Sequence, residues 1–314
     1  MPSSASPNFS LRCGLAGWHY SHWDRIVYPA PKPRNFHPIQ YLAQFFDVLE
    51  INTSFYQMLR PEVSSLWAQR VADVPNFRFT VKLNRKFTHE RDLAPTAVAA
   101  FEAGLEPLRT AGKLGCVLMQ FPWSFRFTQE NRDYFIRLRR AFHRYPLVAE
   151  MRHSSWMCEE ALGTFIDYHV GFANIDQPES VKAMPPTSYL TSSTGYVRLH
   201  GRNSEGWFRA QGFGAQRSDY LYTPAELHDW KQRIDRLRTF ASDTYVVFTN
   251  DTAGKSVVNA LQMQTMLFGY KQNAPDGMHA HYPHHLREYV ERPRQERLFD
   301  LMPALPPARP RAVA

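Results

Sequence analysis

The chain has 314 residues, of which 44% are hydrophobic, 14% aromatic and 21% charged, a globular mixture that excludes a disordered chain and a membrane-embedded one. No apolar run approaches the ~20 residues that cross a bilayer. The N-terminal MPSSASPNFS has no charged start followed by an apolar core, so no signal peptide is expected and the cytoplasm is the expected compartment. The formal net charge of +8 favours anionic partners, whether phosphate-bearing molecules or nucleic acid.

The elements follow in chain order. LRCGLAGW opens as a strand, and FHPIQYLAQFF after it has helical spacing. DVLEINTSF is the second strand, followed by PEVSSLWAQRV, whose proline suits a first helical position. FRFTVKL is the third, followed by APTAVAAFEAGLEPLRTAG, in which Pro107 predicts a break or kink. GCVLMQFP leads to TQENRDYFIRLRRAFHRY, with Thr128 as N-cap. LVAEMRHSSW leads to MCEEALGTFIDYH. VGFANID is followed by a Pro/Ser/Thr-rich stretch, 177–194, where no clear helix is expected. GYVRLHGR leads to TPAELHDWKQRIDRLRTF, with Thr223 and Glu226 as a capping box. TYVVFTND leads to SVVNALQMQTMLFGY.

Eight strand-then-helix units predict an α/β fold, a single (β/α)8 TIM barrel over residues 11–271. Residues 1–10 are expected to be a flexible N-terminus, and 272–314 a His/Pro-rich, partly disordered C-terminal extension. An open doubly wound sheet is the runner-up. It fits poorly, because GLAGWHY has only two glycines and no helix directly follows. Cys13, Cys116 and Cys158 are far apart and form no CxxC, which points to buried free thiols rather than a disulfide or zinc framework. HAHYPHH gathers His279, His281, His284 and His285 without an acidic or cysteine partner, and reads as a polar surface loop. The arginines of 132–144 and 231–238 fall on helical patterns and read as solvated faces.

In such a barrel the chemistry lies at the carboxyl ends of the strands. Polar residues stand there on nearly every strand: Glu50 and Asn52, Lys82, Gln120, Glu150 and Arg152, Asn174 and Asp176, Arg198, His200 and Arg202, Asn250 and Asp251. In YVRLHGR, Val197 and Leu199 face one way and Arg198, His200 and Arg202 the other. Arginines aimed into a barrel need carboxylates, so Arg198 is expected to meet Glu50 and Glu150. This set is either an active site or a structural polar plug. Trp18, Trp123, Trp156 and Trp207 each follow a strand, and are expected to form a rim that takes a planar or sugar-like ligand.

GLAGWHYSHWDRIVYP, LEINTSFYQMLRPEVSSLWAQR, FRFTVKLNRKFTH, GCVLMQFPWSF, VAEMRHSSW, YVRLHGR and VVFTNDTAGKSVVNAL together resemble the YecE-like family, TIM-barrel proteins known as domain of unknown function 72, over about residues 11 to 267. The resemblance implies the fold, and it implies no settled reaction. Its recurring positions fall here on Trp18, Glu50, Asn52, Phe55, Tyr56, Lys82, Gln120, Pro122, Glu150, Arg152, Trp156, Arg198, His200, Asn250 and Asp251. One departure is Ala16, where the family often has a hydroxyl residue before GW. The region after Gln272 lies outside the resemblance.

The first functional reading is an enzyme, hydrolase, isomerase or lyase, acting on a small anionic substrate. Lys82, Arg152, Arg198 and Arg202 would clamp the anion. Glu50 or Glu150 would be the general base and His200 an acid/base or electrostatic group. Trp18, Asn52, Tyr56, Gln120, Trp156, Asn250 and Asp251 complete the substrate-binding set. Substitution of Glu50 or Arg198 is expected to impair activity without unfolding the chain. A divalent metal on Glu50, Glu150, Asp176, His200 or Asp251 stays open, although no tight ligand pair such as HExxH supports it. Two other readings also stay open: a nucleic-acid-binding protein, from the charge and the tryptophans, and a small-ligand module without turnover. The oligomeric state is not legible.

Overall fold

Each of the eight apolar runs contributes one strand to a closed parallel barrel, ordered around the barrel as along the chain. The structure is a computed structural model and describes residues 10–208 and 217–291. The strands are β1 (Ser10–Ala16), β2 (Val48–Ile51), β3 (Arg78–Lys82), β4 (Leu114–Gln120), β5 (Leu147–Glu150), β6 (Gly171–Asp176), β7 (Thr194–Leu199) and β8 (Asp243–Phe248). Closure is made by β8 against β1, in register from Ser10 opposite Asp243 to Leu15 opposite Phe248. Both faces of such strands are covered, which is why their sequences read as near-continuous apolar runs. Val197 and Leu199 are buried against the outer layer, as their alternation in YVRLHGR requires.

The outer layer holds α1 (Pro38–Leu42), α2 (Pro61–Arg70), α3 (Arg85–Thr88), α4 (Pro95–Thr110), α5 (Gln129–Ala141), α6 (Glu159–Asp167), α7 (Ser204–Phe208), α8 (Pro224–Arg238) and α9 (Lys255–Phe268). Proline opens α1, α2, α4 and α8, where its missing N–H is not needed. Thr128 caps α5, and Thr223 with Glu226 forms the capping box of α8. The expected break at Pro107 is not seen. α4 runs through it to Thr110, with Pro107 inside the last turn of the helix.

The stretch between β6 and β7 has no helix among the described residues. Asn174 holds it instead: its Oδ1 accepts from Thr187 Oγ1 at 2.7 Å and from the Tyr189 N–H at 2.7 Å. Asn174 is fully buried and serves this clamp rather than the barrel mouth.

Residues 272–291 fold back beside α9. They form α10 (Asp276–His281) and α11 (Pro283–Leu286), which bury Met278 and Leu286. Gln262 Nε2 donates to the His285 carbonyl at 2.9 Å, and Thr265 Oγ1 to that of Tyr289 at 2.6 Å. The histidine cluster is therefore helical rather than a loop, although His281, His284 and His285 do face solvent. Residues 1–9 and 292–314 of the expected flexible ends lie outside the described residues. Cys13 and Cys116 are buried free thiols, whereas Cys158 is free but exposed at the N-cap of α6. Among the described residues no helix is long and apolar enough to cross a membrane.

Candidate active site

The barrel interior is polar from its middle upward. Tyr196 on β7 lies lowest, its hydroxyl 3.1 Å from Thr80 Oγ1 and donating to Glu50 Oε2 at 2.8 Å. Two residues on, Arg198 meets Glu50 with a fork, Nε to Oε2 at 3.0 Å and Nη2 to Oε1 at 2.7 Å. Its Nη1 reaches Glu150 Oε2 at 2.8 Å and Gln120 Oε1 at 3.1 Å. Both carboxylates are fully buried. Burial alone would raise the Glu150 carboxyl, but the Arg152 and Arg198 charges hold it well below the usual carboxylate range. The same carboxylates keep Arg198 more firmly protonated than usual despite its burial. The expected meeting of Arg198 with Glu50 and Glu150 is thus what the barrel contains.

Arg152 and His200 form the next layer. Arg152 Nη2 lies 2.6 Å from Glu150 Oε1 and 3.2 Å from His200 Nε2. Burial and the Arg152 charge push the His200 imidazole down to about 3, so it is neutral at physiological pH. A proton on Nδ1, given to Thr249 Oγ1 at 2.8 Å, leaves the Nε2 lone pair toward Arg152.

Lys82 completes this layer in a different way. Ser54 Oγ donates to the Lys82 carbonyl at 2.5 Å and Asn84 Nδ2 to the Ser54 carbonyl at 2.8 Å, which fixes the end of β3 against the turn that carries Phe55. The Lys82 ammonium then sits 4.0 Å above the Phe55 ring, and it makes no carboxylate ion pair among the described residues. Burial, and next the Arg198 charge, bring Lys82 down to about 7, against the pull of Glu50 and Glu150.

These groups form one wall of an open cavity of about 470 Å³ at the mouth. Lys82, Gln120, Arg152, Arg198 and His200 line it from the strands, and Asn52, Tyr56, Asp251 and Arg217 from the loops. Glu50 and Glu150 lie beneath this wall and do not line it. Two arginines, Arg152 and Arg198, balance these two carboxylates, so Lys82 and Arg217 are the basic side chains left to face the cavity. Asp251 is the acidic residue that lines the cavity, and the Tyr20 hydroxyl, which also lines it, donates to the Ala16 carbonyl at 2.7 Å. Tyr20 can fold back there because Gly17 has φ +80°, and a Cβ at that position would lie 2.6 Å from the Tyr20 hydroxyl. Ala16 lines the same wall, so the family's variable hydroxyl position belongs to the cavity.

Several expected residues fall elsewhere. Arg202 does not continue the row of Arg198 and His200: Gly201, at φ +89°, breaks the alternation. Arg202 instead pairs with Asp176 at 2.9 Å and Glu226 at 3.0 Å, outside the cavity. Asn250 is fully buried, its Nδ2 spent on Tyr220 O and Asn259 Oδ1. Trp156 is no rim residue. It is fully buried, stacked on Phe125 at 5.4 Å, with its indole N–H given to the Phe125 carbonyl. Trp18 packs edge-on against Trp67 at 5.1 Å beside a second, more apolar cavity of about 310 Å³ that shares Asn52 and Tyr56. Trp123 is 43% exposed with Arg126 above its ring, beside a third cavity that shares Gln120, Arg152 and Arg217. The Trp207 side chain lies outside the described residues. The continuous tryptophan rim is therefore not formed.

Of the residues named for a divalent metal, Glu150 and His200 meet, Oε1 to Nε2 at 3.3 Å, but no third ligand joins them among the described residues. Glu50, Glu150 and Asp176 give their oxygens to arginines, and among the described residues no group of three His, Cys, Asp or Glu side chains could hold a metal ion. Tyr20, Thr249 and Arg217 were not singled out in the sequence. Tyr20 and Thr249 follow strand ends and fall within reach of the strand-tip rule. Arg217 sits in an irregular loop with no pattern to mark it.

Fold and mouth together define a (β/α)8-barrel protein whose polar groups gather at the carboxyl ends of the strands. The chain belongs to the family described as "Protein of unknown function DUF72", whose model matches residues 12–282. The match extends past the end expected near residue 267 and takes in α10. The chain is 29% identical over 272 residues to "UPF0759 protein YunF" of Bacillus subtilis (strain 168), covering 81% of this chain and 93% of that protein. A solved DUF72 family protein of Thermotoga maritima MSB8 is 30% identical with a TM-score of 0.71, covering 82% of this chain and 99% of that one. Another from Enterococcus faecalis V583 is 25% identical with a TM-score of 0.73, covering 83% and 97%.

Proposed function

We propose that this protein is an enzyme acting on a small anionic substrate, phosphate-bearing or sugar-acid-like, held in the barrel mouth. The observation that carries this is the charge balance of the cavity wall. Glu50 and Glu150 are consumed beneath the wall, while Arg217 beside Arg152 remains to meet an anion, and Asp251 is the acidic side chain that lines the cavity. The roles shift from those expected. Glu50 and Glu150 position arginines and are poorly placed as general bases. His200 is a neutral hydrogen-bonding group. Lys82 is the group on the wall able to trade a proton near neutral pH.

A nucleic-acid strand fits less well. The cavity of about 470 Å³ suits a small molecule. Several exposed cations of the outer helices already lean on carboxylates, Lys231 and Arg238 on Asp235 and Arg109 on Glu106. Calorimetric titration with inorganic phosphate tests the proposal. Binding should weaken tenfold or more in Arg217→Ala with melting temperature unchanged. Absence of phosphate binding, together with oligonucleotide binding that falls steeply with salt and ignores Arg217→Ala, would overturn it in favour of nucleic acid.

A further inference from the structure

We propose that Lys82 is a nucleophile that captures the carbonyl carbon of a small anionic aldehyde or ketone as an imine. This rests on the anionic-substrate reading and names the reacting group of that substrate.

The placement of the side chain is the first argument. Arg152 and Arg198 on the same wall each have a carboxylate within 2.8 Å. Lys82 is buried to a similar degree and is given a phenyl ring instead. An amine so placed is kept out of water without an anion to hold its proton, the condition under which lysine becomes a nucleophile. The charged and titratable groups around it are Glu50 on β2, Glu150 and Arg152 at β5, Arg198 and His200 at β7, and His89 after α3. Their sum with burial leaves Lys82 at about 7.

The second argument is what shares the cavity. Arg152 and Arg217 line it together with Lys82, so an anionic group held by the guanidinium groups leaves the rest of a short molecule beside the amine. Asn52 lines it too, and its buried Oδ1 has no hydrogen-bond partner among the described residues. A buried acceptor without a donor is costly unless a ligand supplies one. A hydroxyl formed next to Lys82 would be such a donor.

The step balances with no reactant beyond a solvent proton. The Nζ lone pair forms a C–N bond to the carbonyl carbon, and the carbonyl π pair moves to oxygen, which takes a proton. The proton taken by that oxygen is the one Nζ sheds; a second proton, from solvent at the open mouth, turns the carbinolamine hydroxyl into a leaving water, and a protonated imine remains. Nothing is oxidised or reduced, and one water leaves through the open mouth.

The test uses glycolaldehyde phosphate and glycolaldehyde with the full chain at pH 7.5, cyanoborohydride to reduce any imine, and peptide mass mapping. At that pH a lysine at about 7 is mostly free base, against about 0.1% for an ordinary lysine. Lys82 should be labelled more than tenfold faster than any other lysine, with a rate that rises through about pH 7. Phosphate should compete, glycolaldehyde should label more slowly, and Lys82→Arg should bind phosphate yet trap nothing. Equal labelling of Lys82 by both aldehydes, without phosphate competition, supports the imine and overturns the anion reading. Labelling confined to exposed lysines, in a protein that binds phosphate by calorimetry, overturns the imine and leaves the anion reading standing. Neither binding nor labelling at Lys82 overturns both.

Discussion

Replacing Lys82 with methionine should make the protein more stable, and by an amount that depends on pH. A lysine held at about 7 rather than 10.5 carries a cost of about 5 kcal/mol when charged, at ~1.4 kcal/mol per pH unit. The sign follows from proton binding. Between about pH 7 and 10.5 the unfolded chain keeps a proton that the folded chain has lost, so wild-type stability rises with pH across that window. Below about pH 7 the cost is present in full. Methionine is close in volume and flexible, so it should fill the same space without a cavity. Lys82→Met should therefore gain about 5 kcal/mol at pH 6, shrinking to about 2 kcal/mol at pH 9. Urea unfolding followed by tryptophan fluorescence, in buffers free of phosphate, measures both. A variant less stable than wild type at pH 6, or a gain equal at the two pH values, would show that Lys82 is an ordinary charged lysine and remove the basis for its role. A gain of the expected size would mark a group kept at a cost to stability, as functional sites often are.

Glu50→Gln leaves the buried Arg198 with a single carboxylate and should cost about 3 kcal/mol in denaturant titration. This replaces the expectation that Glu50 can be changed without harm to the fold. A loss under about 1 kcal/mol would mean the cluster is better hydrated than its burial indicates. The His200 imidazole should stay neutral from pH 8 to about 4.5, so its NMR resonances should not titrate there; a midpoint near 6.5 would refute burial beside the Arg152 charge as its cause. Arg202→Ala should leave phosphate affinity within about twofold of wild type, since Arg202 faces Asp176 and Glu226 rather than the cavity; a tenfold loss in calorimetry would place it at the site after all. Trp156→Ala should cost about 3–5 kcal/mol in urea unfolding, because a fully buried stacked ring is removed. A smaller effect would return Trp156 to the rim.

The sequence by itself determined the eight-strand barrel, because parallel strands covered on both faces must be written as short apolar runs, and the helices between them carry their own caps at Thr128 and Thr223. It also determined that Arg198 meets Glu50 and Glu150: a strand alternates with period two, and a buried guanidinium has to find carboxylates. Only the tertiary structure decided which polar residues reach the cavity. The left-handed Gly201 turns Arg202 out of the row, and a single torsion of that kind leaves no mark in a hydrophobic pattern. Trp156 lies in the core while Trp123, equally placed after a strand, is exposed, since an apolar residue in a loop does not state which side covers it. Arg217 arrives from an irregular loop. The environment of Lys82, a ring where its neighbours have carboxylates, exists only once β2 and β3 lie side by side, because a pKa is set by the distances to surrounding charges and by the exclusion of water.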